Sequence, residues 1–134
     1  MFKNSNAFSS FSVDDLTRAR GFYAGKLGIE TDDTKEGLNL KLNGGGNVFI
    51  YPKGEGHEPA SFTVLNFPVD DIDAAVDKLV EMGVTFQSYG GDIATDEKGI
   101  FRGGEHGHGP NIAWFKDPAG NILSIVEETA PVNK

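Results

Sequence analysis

The chain reads as an α+β protein made of one β-α-β-β-β unit used twice, and three observations predict it. The segment FSVDDL at residues 11–16 returns as FPVDDI at residues 67–72, an offset of 56. Each copy is entered through a strand-forming run, SSFSV or TVLNFPV, and is followed by apolar residues at helical spacing. The remainder of each half is short apolar runs separated by glycines, of which there are 18 in 134 residues. Half a sheet with one helix cannot bury both its faces, so the halves are expected to pair into one unit with a cavity between them. One domain over residues 1–134 is expected, with module one at about 7–52, a linker at 53–59 and module two at about 60–128.

In the first half, Leu16, Ala19, Phe22, Tyr23 and Leu27 form an apolar helical stripe; in the second, Ile72, Ala75, Leu79 and Met82 do the same. Asp14 and Asp70 are placed as N-caps, where a carboxylate accepts orphan amide protons and meets the positive end of the helix dipole. Gly28 and Gly83 end the helices as left-handed cap residues. Strands are then expected at Ile29–Thr31, Leu38–Leu42 and Val48–Tyr51, the last two joined by a turn over Asn43–Asn47. The second half repeats them at Val84–Ser88, Ile112–Phe115 and Ile122–Glu127. Asp117-Pro-Ala-Gly120 joins the final pair, Pro fixing φ and Gly supplying a positive one. The long stretch Gly90–Pro110 reads as a loop, either a lid or a surface excursion, with Arg102 solvated or reading an anionic ligand group.

Composition narrows the function. With 20 acidic and 12 basic residues the formal net charge is -8, and no Lys/Arg cluster suits a nucleic-acid backbone or an anionic membrane. A cationic small molecule fits that balance better. The absence of cysteine excludes disulfides, thiolate catalysis and Cys-ligated zinc. No apolar run approaches the ~18 residues of a membrane span, and no signal peptide is visible, so a cytoplasmic location is expected.

The repeated V-D-D, the FYAGKLG that follows its first copy and the closing WFKDPAGNILSIVE together resemble the vicinal oxygen chelate superfamily. That group contains glyoxalase I, extradiol dioxygenases and bleomycin-resistance proteins, and the resemblance covers roughly residues 7–128. It implies two paired βαβββ modules forming a cup-shaped mixed sheet with helices on the outside, and a homodimer. It also implies four metal-ligand positions in the enzymes of the group. Here these are Phe8 and Val64, each five residues before the Val of its repeat, then Ile50 or Tyr51, and Ser124, four residues after the Gly of the D-P-x-G turn. Phe, Val and Ile offer a metal nothing, and a neutral Ser hydroxyl is a poor ligand. No metal cofactor is therefore expected, and isomerisation or dioxygenation that depends on a cation loses its usual basis. A relocated metal site among His57, Glu105, His106 and His108 is the alternative, and it would make the chain a lyase, isomerase or dioxygenase.

If those positions face the cup, strand alternation adds their neighbours. The expected ligand-binding set is Phe8, Ser10, Tyr51, Val64, Asn66, Ile112, Trp114 and Ser124, with Ile112 and Trp114 taken from the resemblance. An aromatic-rich surface with few polar groups is the chemistry of a small-molecule site. No nucleophile–base pair is readable, because the serines of the strands have no histidine in the same strands and the histidines lie in loops. The expectation is a metal-independent binder of a small aromatic or cationic molecule, of the bleomycin-resistance kind. Neither nucleic acid nor membrane is expected as a partner.

Overall fold

The structure is a computed structural model that describes residues 1–44, 46–107 and 109–127, the side chain of His106 excepted. The chain divides into two compact units, with the boundary between Pro59 and Ala60. In the first, β1 (Ser9–Val13) leads to α1 (Leu16–Arg20), a π-helical segment (Gly21–Lys26), β2 (Glu30–Asp33), β3 (Leu38–Lys41) and β4 (Val48–Pro52). In the second, β5 (Thr63–Val69) leads to α2 (Ile72–Glu81), β6 (Ile100–Arg102), β7 (Asn111–Lys116) and β8 (Ile122–Glu127). The strand orders are β1-β4-β3-β2 and β5-β8-β7-β6. Within each sheet the opening strand pairs parallel with the closing one and the other pairings are antiparallel. Both units are βαβββ modules, and the class is α+β.

Each sheet buries one face. In the first module Phe11, Val13, Leu38, Leu40, Val48 and Ile50 alternate inward and are buried with Ala19, Phe22 and Tyr23. Tyr23 is the hub, its ring 6.2 Å from Phe11 and 5.2 Å, edge-on, from Phe22. In the second module Ala113, Phe115, Leu123 and Ile125 are buried together with Ile72 and Val76 of α2. Glu127, in step with Ile125, accepts the N–H of Ile72 at 3.0 Å, which places α2 on that face.

The repeat carries two aspartates in series, and the second of each pair is the cap. Asp15 accepts the N–H groups of Thr17 and Arg18, and Asp71 accepts that of Ala74. Asp14 and Asp70, expected as caps, stand one residue too early, because Leu16 and Ile72 are already the first helical residues. Asp14 instead pairs with Arg18 at 3.6 Å. Gly28 and Gly83 do take the left-handed conformation, at φ 69° and 94°. The first helix does not stay α: past Arg20 it widens, and Leu27 N–H reaches Phe22 O at 2.9 Å, five residues back. Gly21 and Gly25 hold that stretch to α geometry less firmly than other residues would.

The expected strand Val84–Ser88 is absent as a strand. Phe86 makes one isolated bridge to Phe115, and Gln87 N–H donates to Trp114 O at 2.8 Å. The edge of β7 is then taken by β6, inside the stretch expected to be a loop, because Ile100 buries completely there. β3 and β4 pair antiparallel, and of the turn expected between them Gly45 lies outside the described residues. The Asp117–Gly120 turn closes by Gly120 N–H to Asp117 O, with Gly120 at φ 87°. Buried Asp117 reinforces it, accepting the N–H groups of Ala119 and Asn121 and the Asn121 amide.

Candidate functional site

The faces not covered by the helices carry most of the residues expected to bind a ligand, and each face is described by itself. On the first sheet, Ser10 stands opposite Phe49 and Ser12 opposite Tyr51 in the β1–β4 register. Phe49 and Tyr51 stack, ring centroids 6.3 Å apart. Ile50 is in the core, so of the two residues considered for the third ligand position, Tyr51 is the one on the open face. Phe8 precedes β1 and is 65% exposed. It joins Thr34, Glu36, Asn39, Asn47 and Phe49 around a groove of about 380 Å³.

On the second sheet, Ile112, Trp114, Ser124 and Asn66 share the open face. Trp114, Ser124 and Asn66 are cross-strand neighbours in one row over β7, β8 and β5. Trp114 is half-buried between Tyr89, edge-on at 5.4 Å, and Phe101 at 6.3 Å. Ser124 is completely buried, and its hydroxyl donates to Asn66 Oδ1 at 2.5 Å. Val64 behaves differently from its expected place. A register shift between Thr63 and Leu65 puts Thr63 opposite Ile122 and Leu65 opposite Leu123, leaving Val64 as the extra residue of a bulge.

A second groove, of about 560 Å³, lies along the flank of α2 and is lined by Val76, Val80, Val84 and Phe86 with Asp77 and Glu97 among its polar residues. None of the expected ligand-binding residues lines it.

Arg102 is neither a solvated charge nor free to read a ligand. It forks onto Asp73 of α2 at 2.8 and 2.9 Å and reaches Asp96 at 3.0 Å through Nε. Lys98 adds contacts to Asp73 and Asp77, each at 3.1 Å. The hydrogen bond from Arg102, then that from Lys98, holds the Asp73 carboxyl well below the usual carboxylate range. Burial pushes Asp96 up, but the N–H of Ile100, the Arg102 guanidinium and the N–H of Lys98 outweigh it, and Asp96 also sits low. Asp77 and Asp73 together raise Lys98, and Asp73, against the cost of burial, raises Arg102. The stretch Asp96–Arg102 is thereby fastened to the first turns of α2.

One pair was invisible in the sequence. His57 Nδ1 lies 2.7 Å from Ser12 Oγ, across 45 residues. With Lys53 N–H donating to Val13 O at 2.8 Å, this bond ties the turn after β4 back to β1. The pair was not readable because Ser12 lies in a strand and His57 in a loop. Of the other residues of the alternative metal set, Glu105 is exposed, while His108 and the His106 side chain lie outside the described residues. Among the described residues no three His, Asp or Glu side chains are grouped to hold a metal. Among them also, no helix is long and apolar enough to cross a membrane.

The family model described as Glyoxalase/Bleomycin resistance protein/Dioxygenase superfamily matches residues 8–125. The chain belongs to this superfamily. Among solved structures it is similar to the glyoxalase family protein from Enterococcus faecalis, at 22% identity and a TM-score of 0.66 over 95% of this chain and 100% of that one. A superfamily member from Sphaerobacter thermophilus matches at 26% identity and a TM-score of 0.64, covering 91% and 96%. An antibiotic binding protein from Streptomyces matches at 21% and 0.61, covering 92% and 96%. A comparison with curated proteins gives no match.

Proposed function

We propose that this superfamily member binds a small, partly aromatic molecule on the open face of its second sheet, and does so without a metal. The observation that carries the reading is Trp114, half-buried between Tyr89 and Phe101 and in one row with Ser124 and Asn66. An aromatic platform with a small number of fixed polar groups supplies contact area and orientation together. The donor set supports metal independence. The positions that hold a cation in the family's enzymes carry Phe8, Tyr51, Val64 and Ser124, and the neutral Ser124 hydroxyl is a poor ligand. The net charge of -8 favours a ligand that also bears positive charge. Sequestration is the function this supports, in keeping with the antibiotic binding protein whose fold it shares. A homodimer, which rests on the family resemblance, and a cytoplasmic location, which rests on the sequence pattern, belong to the same reading.

Two measurements test it. Titration of planar aromatic and aromatic-cation compounds should quench the fluorescence of Trp114, the single tryptophan, and raise the melting temperature. A compound at a hundredfold excess over its Kd should stabilise the protein by about 2.7 kcal/mol, and Trp114→Ala should abolish both effects. Metal analysis by plasma mass spectrometry, after incubation with Zn, Ni, Mn and ferrous iron, should find no stoichiometric ion. A bound metal that disappears in His106→Ala/His108→Ala would replace this reading with a metal-dependent enzyme.

A further inference from the structure

We propose that the ligand bound at Trp114 presents a hydrogen-bond acceptor, such as a ring carbonyl oxygen, to the side-chain amide of Asn66. The inference rests on the reading of the Trp114 face as a ligand site and names the chemistry that site selects. Ser124 is completely buried, and its hydroxyl proton needs an acceptor. Asn66 Oδ1 provides it at 2.5 Å. Turning the amide over would leave that buried proton unpaired, at the full cost of its desolvation. The amide is therefore locked with its oxygen toward β8, and Asn66 offers its Nδ2 hydrogens.

Asn66 is exposed, and among the described residues nothing accepts from its Nδ2. The Trp114 indole N–H likewise has no acceptor among them; the ring's contacts are with Tyr89 and Phe101. Two donor side chains thus stand two strands apart, about 10 Å at strand spacing, which a planar ring system of two or three fused rings spans. Ser124, which lies between them, is completely buried, so the lone pairs of its oxygen do not reach the face. A face of this kind favours aromatic carbonyls and disfavours aromatic N–H groups. Positive charge on the ligand would then act through the long-range field, away from this contact. Asn66 sets the specificity, and Ser124 is a positioning residue that acts through it.

The test uses the full chain labelled with nitrogen-15 and two flat tricyclic compounds, fluorenone and fluorene, which differ by a carbonyl in place of a methylene. The readouts are the single indole N–H resonance and the Asn66 side-chain amide resonances. Fluorenone should bind about tenfold more tightly than fluorene, the worth of one good hydrogen bond, and should move both sets of resonances. In Asn66→Asp, whose carboxylate still accepts from Ser124, the preference should vanish. Equal binding of the two compounds with the indole resonance moved would overturn the donor assignment and leave the aromatic site standing. A fluorenone preference that survives in Asn66→Asp would overturn it as well. No response of the indole resonance to either compound would overturn the site itself.

Discussion

The two modules share a strand order and an entry motif, yet they finish their sheets in different ways. The first follows a five-residue α1 with a π-helical segment and then a four-residue strand, β2, rich in acid. The second has a ten-residue α2, and its outermost strand, β6, is three residues long and reached only after a long irregular stretch. The first core is centred on Tyr23, supplied by the widened helix; the second is centred on Phe115, supplied by the sheet. A repeated motif therefore dictates where a helix starts and which strands pair, while the residues between the motifs decide what fills the core and what faces outward.

The largest expected effect tests whether the two cores are separately packed. Phe115→Ala removes the ring under Phe86 and should cost about 3–5 kcal/mol in chemical denaturation. Hydrogen exchange should show the loss of protection concentrated in β7, β8 and α2. An equal loss around Tyr23 would break the comparison.

Next comes the fastening of β6 to α2, a larger network than the Arg20–Asp33 pair that joins α1 to β2 in the first module. Arg102→Met should cost about 1–2 kcal/mol near neutral pH. The carboxyls of Asp73 and Asp96 are held below their ordinary range, so their contribution is present above the unfolded-state pKa and is lost as pH falls. The difference between native protein and variant should accordingly be full at pH 7 and shrink below about pH 4. A difference that stays constant down to pH 2 would show that Arg102 acts by packing alone.

The smallest effects test the repeat. Asp15→Ala and Asp71→Ala should each cost about 1 kcal/mol, whereas Asp14→Ala and Asp70→Ala should stay within about 0.5. Equal costs within each pair, read from urea midpoints, would mean that capping does not distinguish them.

These contrasts explain what the sequence could convey. The modules were legible because FSVDDL and FPVDDI repeat nearly residue for residue, and β8 because ILSIVE alternates cleanly after a turn with its own chemistry. The cap slipped by one residue since either aspartate of the pair satisfies a composition rule, and only backbone geometry chooses. Val84–Ser88 looked like a strand because it alternates, but pairing is a competition for an edge, and Ile100 won that edge by burying completely. Strand alternation put Asn66 and Ser124 on one face without revealing that they bond. It misplaced Val64, because a bulge adds a residue that no pattern announces. The Ser12–His57 bond spans 45 residues and leaves no local trace.

The acidity of β2 has a consequence for how copies of this chain meet one another. It is the outermost strand of its sheet and carries Glu30, Asp32 and Asp33 in four residues, answered from within the module by Lys41 and Arg20. A second copy that tried to extend the sheet by adding its own β2 would bring three carboxylates against three more. That repulsion guards an open row of backbone groups against fibrillar stacking.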